Sequence, residues 1–132
     1  MVRQPVVLIV EDETVVGEML MAYLKTLGYT PVFVQNSTRA TRVLSKTHVD
    51  AVLLDLRLGP EDGFDVLKKI KSNHPSLPVI ILTGLGYDDQ TMDTALTLGA
   101  EGFLSKGIDV SEIRVAIDRI LAAHTDCDPR KN

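Results

Sequence analysis

The chain has 132 residues, 45% of them hydrophobic, and a formal net charge of −4. That length suits one domain with a single core; its apolar runs are too short to span a bilayer, and its charges lack the Lys and Arg clustering of a nucleic-acid surface. The lone Cys127 has no internal disulfide partner and no signal-peptide pattern precedes Glu11 and Asp12, so a cytoplasmic setting with no membrane or direct nucleic-acid contact is expected.

Val6–Val10 is continuous, β-branched and closed by acids, the pattern of a buried strand. Residues 14–27 carry Val16, Met19, Leu20, Tyr23, Leu24 and Leu27 on a helical stripe that Gly28 stops. Thr30–Val34 predicts a second strand, and Pro31 within it points to a sheet edge. Ser37 is expected to cap a helix that turns Ala40, Val43 and Leu44 inward. Residues 51–54 predict a strand ending at Asp55. Residues 64–72 predict a helix with Phe64, Leu67 and Ile70 inward, which Pro75 and Pro78 prevent from continuing. Residues 79–82 predict a fourth strand, 88–98 a helix with Met92, Ala95 and Leu96 on one face, and 102–104 a fifth strand. Ser111 is expected to cap the last helix, where Ile113, Ala116, Ile117, Ile120 and Leu121 follow the i, i+3, i+4, i+7, i+8 pattern. Apolar strands alternating with helices predict an α/β fold: a flavodoxin-like (βα)5 doubly wound sheet of five parallel strands in the order 2-1-3-4-5. One domain over residues 5–124 is expected, with a polar, frayed tail over 125–132.

In open parallel sheets the functional crevice lies beyond the carboxyl ends of the strands. The expected fold gathers there Glu11, Asp12 and Glu13 after strand one and Asp55 after strand three. Thr83 and Gly84 follow strand four, and Lys106 follows strand five. Adjacent carboxylates repel, and need shared protons or a cation. Mg²⁺, which takes one or two carboxylates together with water and phosphate oxygens, answers that need. A carboxylate beside it can attack phosphorus. The group gained brings about two negative charges, which Lys106 as a point charge and Thr83 as a hydroxyl donor are suited to receive. Glu13, at the start of a helix, reads instead as an acid placed against the helix dipole.

Four segments, in order and each at its own strand end, carry a family resemblance: VVLIVEDE (6–13), LLDLRLGPEDGFDVL (53–67), VIILTG (79–84) and GAEGFLSKG (99–107). Over residues 6–123 the chain resembles the receiver domain of two-component response regulators. By position, the resemblance implies Asp55 as phosphoacceptor, with Glu11, Asp12, Asp55 and the backbone carbonyl of Arg57 at an Mg²⁺ ion. It implies Thr83 as the switch hydroxyl, Lys106 as the phosphate-binding lysine and Phe103 as the switch aromatic. The donor implied is a phosphohistidine on a histidine kinase or histidine phosphotransfer protein. A face over residues 88–123 would regulate a downstream protein or output domain, with a homodimer on phosphorylation left open. Such a domain catalyses its own phosphorylation and is not a turnover enzyme. No output domain follows, so a stand-alone receiver or a piece of a longer regulator or hybrid kinase is expected.

Most relatives follow the lysine with proline, whereas this chain has Gly107, which predicts a more mobile loop. Gly59-Pro60 sets proline one step later than usual, and Gly84 replaces the usual alanine. Arg57 and Leu85 are expected to change phosphoryl lifetime without abolishing acceptance. A nucleotide or flavin module on this fold would want a glycine- or hydroxyl-rich loop where the chain has Glu-Asp-Glu. A phosphatase resembling the haloacid dehalogenase family would want an acid where Arg57 stands. The remaining alternative is a receiver-like protein interaction module that works without phosphorylation.

Overall fold

A computed structural model describes residues 4–84, 88–106 and 110–126, with backbone alone for 110, 111 and 124–126. The β-branched apolar runs become the strands β1 (Val6–Val10), β2 (Thr30–Val34), β3 (Ala51–Asp55), β6 (Val79–Thr83) and β7 (Gly102–Ser105). The amphipathic segments become α1 (Thr14–Thr26), α2 (Ser37–Lys46), α3 (Gly63–Asn73), α4 (Asp89–Thr97) and α5 (Val110–Asp126). Two short strands, β4 (Arg57–Leu58) and β5 (Glu61–Asp62), make a separate antiparallel hairpin. The main sheet is parallel throughout and ordered β2-β1-β3-β6-β7, which is the expected 2-1-3-4-5 when the hairpin is set aside. Pro31 lies on β2, an edge strand, as expected.

Period-two alternation divides the buried residues between two helical layers. Leu8, Val10, Val52, Leu54, Val79 and Ile81 pack with Ala40 of α2, Leu67 of α3 and Ala95 of α4. Val7, Ile9, Leu53, Ile80, Leu82 and Leu104 pack with Leu20 and Leu24 of α1 and with Ile113 and Ile117 of α5. Each large side chain so enclosed contributes about 1.5–3 kcal/mol. Continuing the alternation past the strand ends gives Glu11 the parity of Ile9 and Asp55 that of Leu53, so both carboxylates start from buried positions.

Several expectations need correction. The cap of α2 is Asn36, whose side chain accepts from the Arg39 N–H at 2.9 Å. Ser37 is the first helical residue, and its hydroxyl donates to Glu61 instead. Helix α5 already includes Val110, so Ser111 lies within its first turn, not ahead of it. Leu96 is 48% exposed; Ala95, not Leu96, anchors α4 with Met92 half-buried. Met19 is likewise 45% exposed on α1. The loop after Asp55 is a structured hairpin in which Gly59 adopts φ +63°, the left-handed value that a two-residue turn asks of its first residue. Helix α5 runs to Asp126; Leu85, Gly107 and residues 127–132 lie outside the described residues.

Candidate active site at the strand ends

The backbone brings the carboxylates in first. The Glu11 N–H donates to the Val34 carbonyl at 3.1 Å, which extends the β1–β2 ladder by one residue and holds Glu11 against the sheet. Its side chain is fully buried, and Oε2 accepts from the Glu13 N–H at 3.0 Å. Asp55 closes β3 and is 1% exposed. Its Oδ1 accepts from the Arg57 N–H at 2.9 Å, so the first residue of the hairpin orients the carboxylate. Behind this turn, Gly63 passes so close that a Cβ there would lie 2.2 Å from the Leu56 carbonyl oxygen. Only glycine allows the hairpin to fold back on the start of α3.

Lys106 follows β7, and its backbone N–H donates to the Thr83 carbonyl at 2.8 Å. From there the ammonium reaches Asp55 Oδ2 at 2.6 Å, Glu11 Oε1 at 2.9 Å and Glu13 Oε1 at 3.0 Å. The contact with Glu11 lacks hydrogen-bonding alignment, which leaves Glu11 Oε1 buried without a hydrogen-bond partner. Burial opposes charge on Lys106, but the Asp55, Glu11 and Glu13 carboxylates around the ammonium outweigh it and hold it above the ordinary lysine range. Glu11 moves the other way. Desolvation, aided by the nearby Asp55, raises its carboxyl to about 7 against the lowering effects of the Glu13 N–H and Lys106.

Glu11, Asp12, Glu13 and Asp55 each offer a carboxylate oxygen within 4.8 Å of the others. One ammonium cannot balance four carboxylates. The excess charge, together with the unsatisfied buried Glu11 oxygen, is what a hard divalent cation with oxygen ligands relieves, so the donor set fits Mg²⁺. Asp12 is exposed at the mouth of the cluster, 3.7 Å from where a Gly59 Cβ would stand.

The sequence-predicted residues do not all meet. Glu11, Asp12, Asp55 and Lys106 converge, and Arg57 joins them through its backbone while its side chain is exposed. The Thr83 hydroxyl donates to the Leu104 carbonyl at 3.3 Å, bridging β6 to β7 beside the pocket. Phe103 is half-buried and packs against the α2/α3/α4 layer of the core. Sequence reading assigned Glu13 only to the helix dipole, yet its carboxylate closes on Lys106. The contact spans 93 residues, so no local signal announces it. Glu61 was also missed: it accepts from the Ser37 N–H at 2.9 Å and from its hydroxyl, tying the hairpin after Asp55 to the start of α2.

Among the described residues, no helix is long and apolar enough to cross a membrane. Comparison with known proteins is consistent across sequence and structure. The family described as response regulator receiver domain matches residues 7–118. The chain is 35% identical over 115 residues to the regulatory protein VirG of Agrobacterium tumefaciens, covering 84% of this chain and 43% of VirG. It is 33% identical over 116 residues to the luminescence regulatory protein LuxO of Vibrio campbellii, covering 88% of this chain and 25% of LuxO. The chain thus spans less than half the length of these curated relatives. Its fold superimposes on the signal receiver domain of an HD domain-containing protein from Pseudomonas fluorescens with a TM-score of 0.86 at 28% identity, covering 96% of this chain and 93% of that one.

Proposed function

The chain belongs to the response regulator receiver domain family, and from that premise we propose that it accepts a phosphoryl group on Asp55 from a phosphohistidine. One observation carries the reading: the buried Asp55 carboxylate lies 2.6 Å from the Lys106 ammonium inside an acidic pocket at the strand ends. An Asp55 oxygen forms the O–P bond as the P–N bond of the donor breaks. The electron pair returns to the imidazole, which takes up a proton from solvent. Glu11, Asp12 and Asp55, with the Arg57 carbonyl, are the groups to hold Mg²⁺, which when bound supplies positive charge against the phosphoryl oxygens.

Lys106 receives one of those oxygens, and the Thr83 hydroxyl exchanges the Leu104 carbonyl for another. Releasing Leu104 loosens β7 next to Phe103, so the signal leaves through α4, β7 and α5 as a population shift. The partners of this reading are a histidine kinase or histidine phosphotransfer protein upstream and a downstream protein or output domain, all in the cytoplasm. The domain catalyses only its own modification. Acetyl phosphate with Mg²⁺, followed by intact mass, tests the reading: a phosphate adduct is expected on the parent and none on Asp55→Asn. An adduct on both, or on neither when both are folded, overturns it.

A further inference from the structure

Lys106 is surrounded by carboxylates before any phosphoryl group arrives. Three carboxylate oxygens stand within 3.0 Å of its ammonium; two of them, on Asp55 and Glu13, accept hydrogen bonds from it, and Glu11 Oε1 is held by charge alone. An arriving phosphoryl oxygen competes with these carboxylates for the ammonium. The three partners are not equally held. Glu11 is buried and bound by the Glu13 N–H, and Asp55 is buried and bound by the Arg57 N–H. Glu13 has a side chain 62% exposed, stands at the N-cap position of α1, and makes no capping hydrogen bond there. Its carboxylate can return to water at little cost, whereas freeing either buried carboxylate leaves a charge without a counterpart.

We propose that Glu13 is a positioning residue that acts through Lys106, holding the ammonium at the mouth of the pocket and competing with the incoming phosphoryl group for it. The inference rests on the phosphoacceptor reading of Asp55 and deepens it. The same residue contributes in two opposed ways: its backbone N–H keeps Glu11 in place, and its side chain withholds Lys106. Replacing the side chain alone therefore separates the two, because Glu13→Gln keeps the backbone donor and the shape while removing the charge.

The test measures the initial rate of Asp55 modification by acetyl phosphate with Mg²⁺ in the parent, Glu13→Gln and Glu18→Gln. Glu18 is an exposed acid further along α1 that is not among the oxygens at Lys106, so it controls for general repulsion of an anionic donor. Glu13→Gln is expected to react about two- to fivefold faster, the scale of one exposed ion pair, with Glu18→Gln close to the parent. Competitive labelling of amines with acetic anhydride supplies a readout independent of phosphorylation, in which the Lys106 peptide is expected to label faster in Glu13→Gln. Equal acceleration in both variants, no acceleration in Glu13→Gln, or unchanged Lys106 labelling overturns the role of Glu13 while leaving Asp55 as acceptor. Absence of any Asp55 adduct on the folded parent overturns the phosphoacceptor reading and this inference with it.

Discussion

Replacing Glu11 with glutamine should change how stability depends on pH before it changes anything else. The folded protein holds the Glu11 carboxyl at about 7 against a reference of 4.5. A carboxyl raised on folding stabilises the native state fully below the unfolded value, and that contribution disappears as pH rises through the folded value. At ~1.4 kcal/mol per pH unit, the interval from 4.5 to about 7 amounts to about 3 kcal/mol. Most of it is lost between about pH 5 and about pH 8. Glu11→Gln cannot ionise, so its stability relative to the parent should improve by roughly 2–3 kcal/mol across that range. Its absolute stability at either end also includes the amide facing Lys106, which is why the prediction concerns the slope. Urea unfolding in the presence of a chelator, at pH steps through this window, measures it. Adding Mg²⁺ should flatten the parent's curve, because a cation stabilises the ionised carboxylate, and should leave the slope of Glu11→Gln unchanged. Parallel curves for parent and variant without metal would refute the assignment of a strained, protonatable carboxyl to this position.

Other perturbations follow from individual contacts. Gly63→Ala forces a Cβ to 2.2 Å from the Leu56 carbonyl oxygen; with backbone on both sides of the clash, a loss of about 1–3 kcal/mol in chemical unfolding is expected. Glu61→Ala removes the acceptor for the Ser37 N–H and hydroxyl. It should cost about 1–2 kcal/mol at the start of α2, read by the same unfolding assay. Asp88 caps α4 by accepting from the Thr91 N–H at 2.8 Å, which lowers its carboxyl below the usual value of 3.8. The stabilisation is present above that value and lost as pH falls through the folded one. Asp88→Ala should accordingly speed hydrogen exchange in α4 near neutral pH and leave exchange in α1 unchanged.

The layout of the fold was legible because its signals are local. The continuous apolar runs at Val6–Val10 and at residues 79–82, and the spacing of Ile113, Ile117 and Ile120, each record burial along a single element. Stringing them together with short connections leaves few topologies for a parallel sheet, and one of them is realised. The acids after β1, Asp55 at the end of β3 and Lys106 after β7 were placed at one rim by that topology alone.

Which of those groups touch was decided by the assembled fold. Glu11, Asp12 and Glu13 are consecutive acids, indistinguishable by composition. The ladder bond from Glu11 to Val34 and the return of its side chain to the Glu13 N–H make Glu11 a buried carboxyl and leave Glu13 free to swing to Lys106. Leu96 and Ala95 both suited the inner face of α4 by periodicity, and the rotation of the helix on the sheet buried only Ala95. Ser37 carried a capping side chain, yet Asn36 one residue earlier took the role and Glu61 took the serine. Periodicity and propensity report an average over several residues of one segment. A hydrogen bond or ion pair between segments depends on helix rotation and strand register to within an ångström, and those are set by the packing of the whole core.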